Sequence, residues 1–362
     1  MATSIGRTDT YLLRAVANWL LDSNVRIRSG RHKGAIAGWL NEHEEPAFAY
    51  PEITGYYLSW LASLARLQPE IDPYPAATAA VGWLHTITSA DHPPATRYYF
   101  ADSDDWRNDA TFTFDLAMMC RGLHAVRGLV PERPRKEVLQ RLLRHVLPRG
   151  NMLPVFINAR RELPDRWSTR MGAFQLKAAA ALLPLKSHPA IWSTFYRWSG
   201  RVLEEVDSRE LHAAFYALEG LMQFAISGKP EAIHEAASCF ETLFAYIDDT
   251  RSDVIAQGLR LACALRSFGF LQGKTWNDRL VELRLRLETF ISDSGAVSFR
   301  PVGCRPTHFN TWATIFVYQC LAFTDADSFR IGRRSETNPS TTRESIAASE
   351  LVMASGRLSD KR

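Results

Sequence analysis

Apolar residues recur at three- and four-residue spacing along most of the chain, and stretches that alternate residue by residue are few. The pattern predicts helices of two kinds. One kind is charged on one face and falls at roughly 9–22, 72–89, 132–147, 189–205, 230–247 and 276–291. "PRKEVLQRLLRHVL" and "NDRLVELRLRLETFI" show the type, a solvent stripe opposite a packing stripe. The other kind falls at roughly 53–66, 111–127, 170–184, 210–226, 253–267 and 308–323. "TFTFDLAMMCRGLHAV" and "RMGAFQLKAAAALL" carry little charge beyond the first turn, and a helix apolar on most sides is buried on most sides.

The two kinds alternate, outer then inner, six times over. That order predicts an all-α fold, an (α/α)6 toroid of six inner and six outer helices, with degenerate repeats of about 40 to 60 residues. Residues 1–330 are expected to form a single toroid domain, because no Pro/Gly/Ser-rich linker divides them. Residues 331–362 are polar and expected to be a disordered C-terminal tail.

Composition narrows the function classes. The chain has 362 residues, 46% hydrophobic and 23% charged, the balance of a soluble globular protein. A net charge of +4, with no basic run interleaved with aromatics, argues against nucleic acid as a partner. Five scattered cysteines show no CxxC or Cys/His ligand spacing, so no metal site is expected. Nothing requires a cofactor, although the loop from Asp102 to Asp105 offers oxygen ligands of the kind a hard divalent cation takes. No run nears the roughly 18 consecutive apolar residues of a membrane span. The N-terminal stretch also lacks the basic–apolar–small order of a signal peptide. A cytoplasmic protein without membrane insertion is expected; its oligomeric state is not legible.

In a toroid the inner helices run parallel, so their N-termini converge and their unpaired N–H groups and dipoles favour anionic groups there. The segments leading into them are unusual. The first carries Tyr50, Glu52, Tyr56 and Tyr57, with Glu52 and Tyr56 at i, i+4 facing the funnel together. The second carries Asp104, Trp106 and Asp115; the third Trp167 and Arg170 among several arginines. On the fourth helix His212, Tyr216 and Glu219 form one stripe, while the fifth offers only Asp253 and Gln257. The sixth carries Arg305, His308, Asn310 and Trp312, with His308 and Trp312 again spaced i, i+4.

Aromatics, carboxylates and guanidinium groups around one funnel suit a carbohydrate: sugar rings stack on Trp and Tyr, and hydroxyls bind charged side chains. Glu52, Tyr56, Asp115, His212, Tyr216, Glu219 and His308 are the candidates for catalysis. Tyr57, Asp104, Trp106, Trp167, Arg170, Arg305, Asn310 and Trp312 are the candidates for substrate binding. The arginines favour an acidic glycan, since a planar guanidinium binds carboxylate bidentately. Each candidate also has a structural reading: Glu52 as a helix-start acid, Glu219 and Asp115 as partners of a neighbouring cation, His308 as a hydrogen-bonded histidine, the tyrosines as packing residues.

"YPEITGY" (50–56), "FDLAMMCRGL" (114–123), "LHAAFYALEGL" (211–221) and "HFNTWATIFVYQCL" (308–321) together resemble a family of bacterial α/α-toroid proteins found with polysaccharide biosynthesis genes. The resemblance spans roughly 34–323 and departs at Leu116, where the family usually has Thr after the aspartate. It implies the toroid fold and a carbohydrate setting. The wider superfamily includes sugar epimerases, unsaturated glucuronyl hydrolases and other glycosidases, so the leading expectation is an enzyme using acid/base chemistry: glycoside hydrolysis, or epimerisation or elimination at a uronate. Two alternatives stand beside it. "DSDD" (102–105) resembles the acid motif of class II terpene cyclases, also α/α toroids. A non-catalytic toroid that binds a glycan or a protein partner would keep the same aromatic funnel.

Overall fold

A computed structural model of the chain describes residues 2–101, 104–147, 150–205, 210–247, 251–304 and 307–331. The expected tail from 332 onward lies outside the described residues. Among those described, thirteen helices follow one another: α1 (Ala2–Asp22), α2 (Pro51–Leu67), α3 (Tyr74–Ile87), α4 (Thr113–Ala125), α5 (Glu132–Val146), α6 (Gln175–Leu182), α7 (Pro189–Trp198), the short α8 (Val202–Glu205), α9 (Leu211–Ile226), α10 (Glu231–Phe244), α11 (Ser252–Ser267), α12 (Lys274–Glu288) and α13 (Thr311–Ile331). No helix among the described residues is long and apolar enough to cross a membrane.

The apolar set packs in sequence order as a ring, α2 on α4, α4 on α6, then α9, α11 and α13, and α13 returns to α2. Outside it, α1 packs on α13, α3 on α2, α5 on α4, α7 on α6, α10 on α9 and α12 on α11. The fold is the expected (α/α)6 toroid. Among the described residues six short strands occur, where the sequence showed few alternating stretches. β1 (Trp39–Leu40) pairs with β6 (Phe309–Asn310), β2 (Phe48–Ala49) with β3 (Tyr98–Tyr99), and β4 (Ala110–Phe112) with β5 (Phe156–Ala159), all antiparallel. They stitch together the segments leading into neighbouring inner helices.

Two boundaries differ from the periodicity for local reasons. The outer helix expected over 189–205 breaks after Trp198, where Gly200 adopts φ +79. The last inner helix starts at Thr311, with Asn310 accepting from the Ala313 N–H at 2.9 Å as its cap. His308 therefore precedes the helix, and the expected His308–Trp312 stripe does not form.

Three glycines bring the inner helices to backbone contact. A Cβ at Gly55 would lie 2.5 Å from the Met118 carbonyl oxygen, and one at Gly122 would lie 2.3 Å from that of Gly55. One at Gly220 would lie 2.4 Å from the Leu176 carbonyl carbon. No side chain fits there, so α2 meets α4, and α6 meets α9, at the closest approach helices can make. Gly122→Ala is expected to destabilise the protein by about 1–3 kcal/mol through overpacking. Gly82→Ala, on α3 with open space where the Cβ would go, should be neutral or stabilise by up to about 1 kcal/mol; comparing the two urea midpoints checks this.

Candidate active site

The inner-helix N-termini open into a cavity of about 450 Å³. All six inner helices or the residues leading into them reach it: Glu52 on α2, Asp115 on α4, Phe174 before α6, His212 and Tyr216 on α9, Arg251 before α11 and Trp312 on α13.

At its wall two carboxyl groups meet. Pro51 opens α2 and places Glu52 in the first turn; Asp115 sits in the first turn of α4. Because Gly55 and Met118, three residues further along each helix, are in backbone contact, the two acids are brought within hydrogen-bonding reach of each other. Both are buried. Burial and the neighbouring Glu52 charge push Asp115 well above the usual carboxylate range, against a Thr96 hydroxyl that donates to it at 2.7 Å. Burial raises Glu52 as well, opposed by a hydrogen bond from Tyr50 and by the charges of Lys177 and Arg97. Two acids this close disfavour joint ionisation, and the upward push is the stronger on Asp115.

From α9, three places round the ring from α2, comes His212. Burial holds its pKa down at about 4, though Asp253 favours the charged form, so the ring is neutral at neutral pH. Asp253 lies 3.5 Å from His212 Nδ1. It also accepts from Arg251 Nε at 3.0 Å and Nη2 at 2.6 Å, and from the Trp312 indole at 3.0 Å. Burial opposes ionisation of Asp253, but His212 and Arg251 prevail and lower its pKa. Trp312 thus stands in the wall with its N–H already committed.

Beneath the cavity lies a second charged centre. Glu219, fully buried, pairs with Arg121 at 3.0 Å, with Lys177 at 2.8 Å and with Arg260. Burial would raise its pKa, and the three cations reverse that, holding the carboxyl well below its usual range. Lys177 Nζ sits 4.0 Å from the Tyr216 ring centre and 4.7 Å from that of Tyr56, so both rings lie over it, Tyr216 in the cavity lining and Tyr56 beside it. Burial raises both phenols well above their ordinary values, which leaves them neutral hydrogen-bonding groups. Glu219 reaches no cavity surface, and its structural reading, an acid held by neighbouring cations, is the one its surroundings support.

The remaining candidates divide. Trp106 and Trp167 line the cavity. Tyr57 turns into the core and donates to the Leu20 carbonyl at 3.0 Å. His308 stacks on Trp39, rings 5.7 Å apart and 8° from parallel, and stays behind the wall. Asn310 is the cap already described. Arg170 pairs with Asp165 on the surface. Arg305 and Asp102 lie outside the described residues. Asp104 is 88% exposed and paired with Arg161, and Asp105 is held by Arg107 at 2.7 Å. The acid expected of a DSDD cyclase therefore faces solvent, and both described loop carboxylates are engaged by arginines. Among the described residues no three ligating side chains gather as a metal set.

Arg97, Arg107 and Arg251, not picked from the sequence, line the cavity with Arg166, and Asp253, noted only as a polar residue of the fifth helix start, lies beside His212. Lys177 and Arg121 had a legible signal, each the lone lysine or arginine of an otherwise apolar helix.

No family model and no curated protein sequence matches the chain. Solved structures do. A D-mannose isomerase aligns with TM-score 0.65 at 9% identity, over 88% of this chain and 97% of that one. A sugar epimerase from a ruminal bacterium aligns with TM-score 0.60 at 10% identity, over 90% and 100%. An unsaturated glucuronyl hydrolase specific for heparin aligns with TM-score 0.57 at 10% identity, over 88% and 98%. At these identities the likeness shows the class of fold alone, an α/α toroid.

Two stability predictions follow from the charges. His212 titrates lower in the folded than in the unfolded chain, so its contribution is complete above pH 6.5 and is lost as pH falls to about 4. That loss, about 3 kcal/mol, should be absent from the pH dependence of unfolding in His212→Gln. Glu219→Gln, which leaves three buried cations facing one another, should cost about 3–5 kcal/mol. Glu204→Gln, which removes the exposed pair with Arg201, should cost less than about 1 kcal/mol in the same urea titration.

Proposed function

We propose that this protein is an enzyme that moves a proton on an acidic sugar bound in the cavity, by epimerisation or elimination. The observation that carries this reading is the Glu52–Asp115 pair, two buried carboxyls from adjacent helix starts within hydrogen-bonding reach of each other, each pushed up by burial. Displacement at a glycosidic bond needs two carboxyls on either side of it, about 5 Å apart or more. Acids in hydrogen-bonding contact leave no such space, but they make a poised proton donor. His212, neutral and backed by Asp253, is a base on the ring-opposite helix. In this reading His212 takes the proton from the carbon beside the sugar's carboxylate, and the C–H electrons spread onto that carboxylate. Asp115 then returns a proton to the other face of the same carbon, giving the epimer. In elimination it protonates the departing oxygen on the neighbouring carbon as the double bond forms. Of four arginines in the lining, Arg107 and Arg251 are paired with aspartates, and Arg97 and Arg166 support an acidic substrate. Solved toroids of similar fold whose names specify sugar isomerisation, epimerisation and glucuronyl hydrolysis support a carbohydrate. A place in polysaccharide biosynthesis rests on the motif resemblance.

The test is incubation with uronate oligosaccharides in deuterium oxide. Wild-type protein should wash deuterium into the sugar or release an unsaturated product, and Asp115→Asn should be slower by about 100-fold or more with folding intact. Activity should persist below pH 6.5 and fall near pH 4 as His212 protonates. Oligosaccharide binding without exchange, elimination or hydrolysis would leave a glycan-binding toroid instead.

A further inference from the structure

The four arginines in the cavity are not equivalent. Arg107 is spent on Asp105, and Arg251 on Asp253, each through two hydrogen bonds. Arg166 stands exposed at the mouth. Arg97 differs from all three. It comes from the segment just before β3, and its guanidinium carbon lies 4.3 Å from the Phe48 ring centre, 5.1 Å from Tyr50 and 5.4 Å from Trp39. Three aromatic rings box a half-buried cation at the cavity wall.

Its hydrogen bonds go to neutral groups: Nη1 donates to the Tyr99 hydroxyl at 3.0 Å, and Tyr50 is its other partner. Among the described residues no carboxylate forms an ion pair with it, and its Nε is buried with no acceptor. Two acids are each reached through a tyrosine, Glu52 through Tyr50 and Asp105 through Tyr99, whose hydroxyl donates to it at 3.1 Å. A guanidinium so enclosed with no carboxylate in direct contact is under-satisfied. Here it borders a cavity and the carboxyl pair, where a bound anion would satisfy it.

We infer that Arg97 is the specificity-determining residue of the cavity and takes the carboxylate of a uronate. The rigid, boxed fork suits a planar carboxylate. A carboxylate docked on Arg97 sets the carbon that bears it beside Glu52 and Asp115. The same contact draws charge toward the carboxylate as that carbon loses its proton. This inference rests on the proton-transfer reading for its chemistry, but its binding claim stands separately.

The test is calorimetric titration of the whole protein with a panel of uronate oligosaccharides and their carboxyl-reduced, neutral counterparts. Wild type should bind a uronate ligand at least about tenfold more tightly than its reduced form. Arg97→Gln should bind the two alike, Arg97→Lys should recover part of the preference, and Arg170→Gln, outside the cavity, should keep all of it. Should Arg97→Gln fail to fold, the wild-type comparison and the lysine variant still decide. Equal wild-type affinity for charged and neutral sugars overturns the inference while leaving proton transfer open. Preference retained in Arg97→Gln moves carboxylate recognition elsewhere. Binding of no sugar in the panel overturns both readings. Carboxylate preference with no exchange or elimination keeps this inference and removes the other.

Discussion

Everything in the toroid turns on one buried carboxylate. Glu219 on α9 is met by Arg121 from α4, Lys177 from α6 and Arg260 from α11, and Arg260 reaches on to Gln319 of α13 at 2.7 Å. Tyr56 of α2 closes the set by lying over Lys177. All six inner helices thus converge on one point of the axis. An ion cluster of this kind adds little net stability over a well-packed apolar core, but it penalises every arrangement that breaks it. It therefore specifies register. A helix slipped by one residue carries its cation away from Glu219 and leaves charge buried unpaired.

The glycine contacts and the ion cluster impose one geometry between them. Gly220 lets α6 press on α9 beside Lys177 and Glu219, and Gly55 with Gly122 does the same for α2 and α4. Two helices at backbone contact must present their first-turn side chains to each other at short range. For α2 and α4 those side chains are Glu52 and Asp115. Two acids side by side in a buried wall oppose each other's ionisation. The pair is a consequence of packing in the ring, and the upward push on both carboxyls follows from its burial.

The fold was legible because it is written in a period. Charged and apolar helices alternate six times, and burial nearly all round follows from composition alone. The first-turn acids Glu52 and Asp115 were legible too, since charge in an apolar helix must be placed somewhere that tolerates it. What periodicity cannot express is direction. Tyr56 and Tyr57 are adjacent in sequence, yet one borders the cavity floor and the other bonds to Leu20. His308 looked like a helix residue because Trp312 follows at four, but a two-residue strand intervenes and turns it onto Trp39. Arg97 lies in a segment whose position depends on β3 pairing with β2, a contact between residues 48 and 99 that no local pattern encodes.

Lys177 joins the structural centre to the site above it. Burial pushes the Lys177 amine well below its usual range while Glu219 favours its charged form, and in that form its field acts through the capping faces of Tyr56 and Tyr216. That field has opposite effects on the two groups it reaches. It favours the ionised form of Glu52, and it disfavours the protonated form of His212. Burial alone would suppress charge on both. Lys177 therefore works against burial at Glu52 and with burial at His212, whose ring stays neutral. The side chain that ties α6 into the ring thereby also acts on the titration of the groups above it, so scaffold and cavity cannot be altered independently.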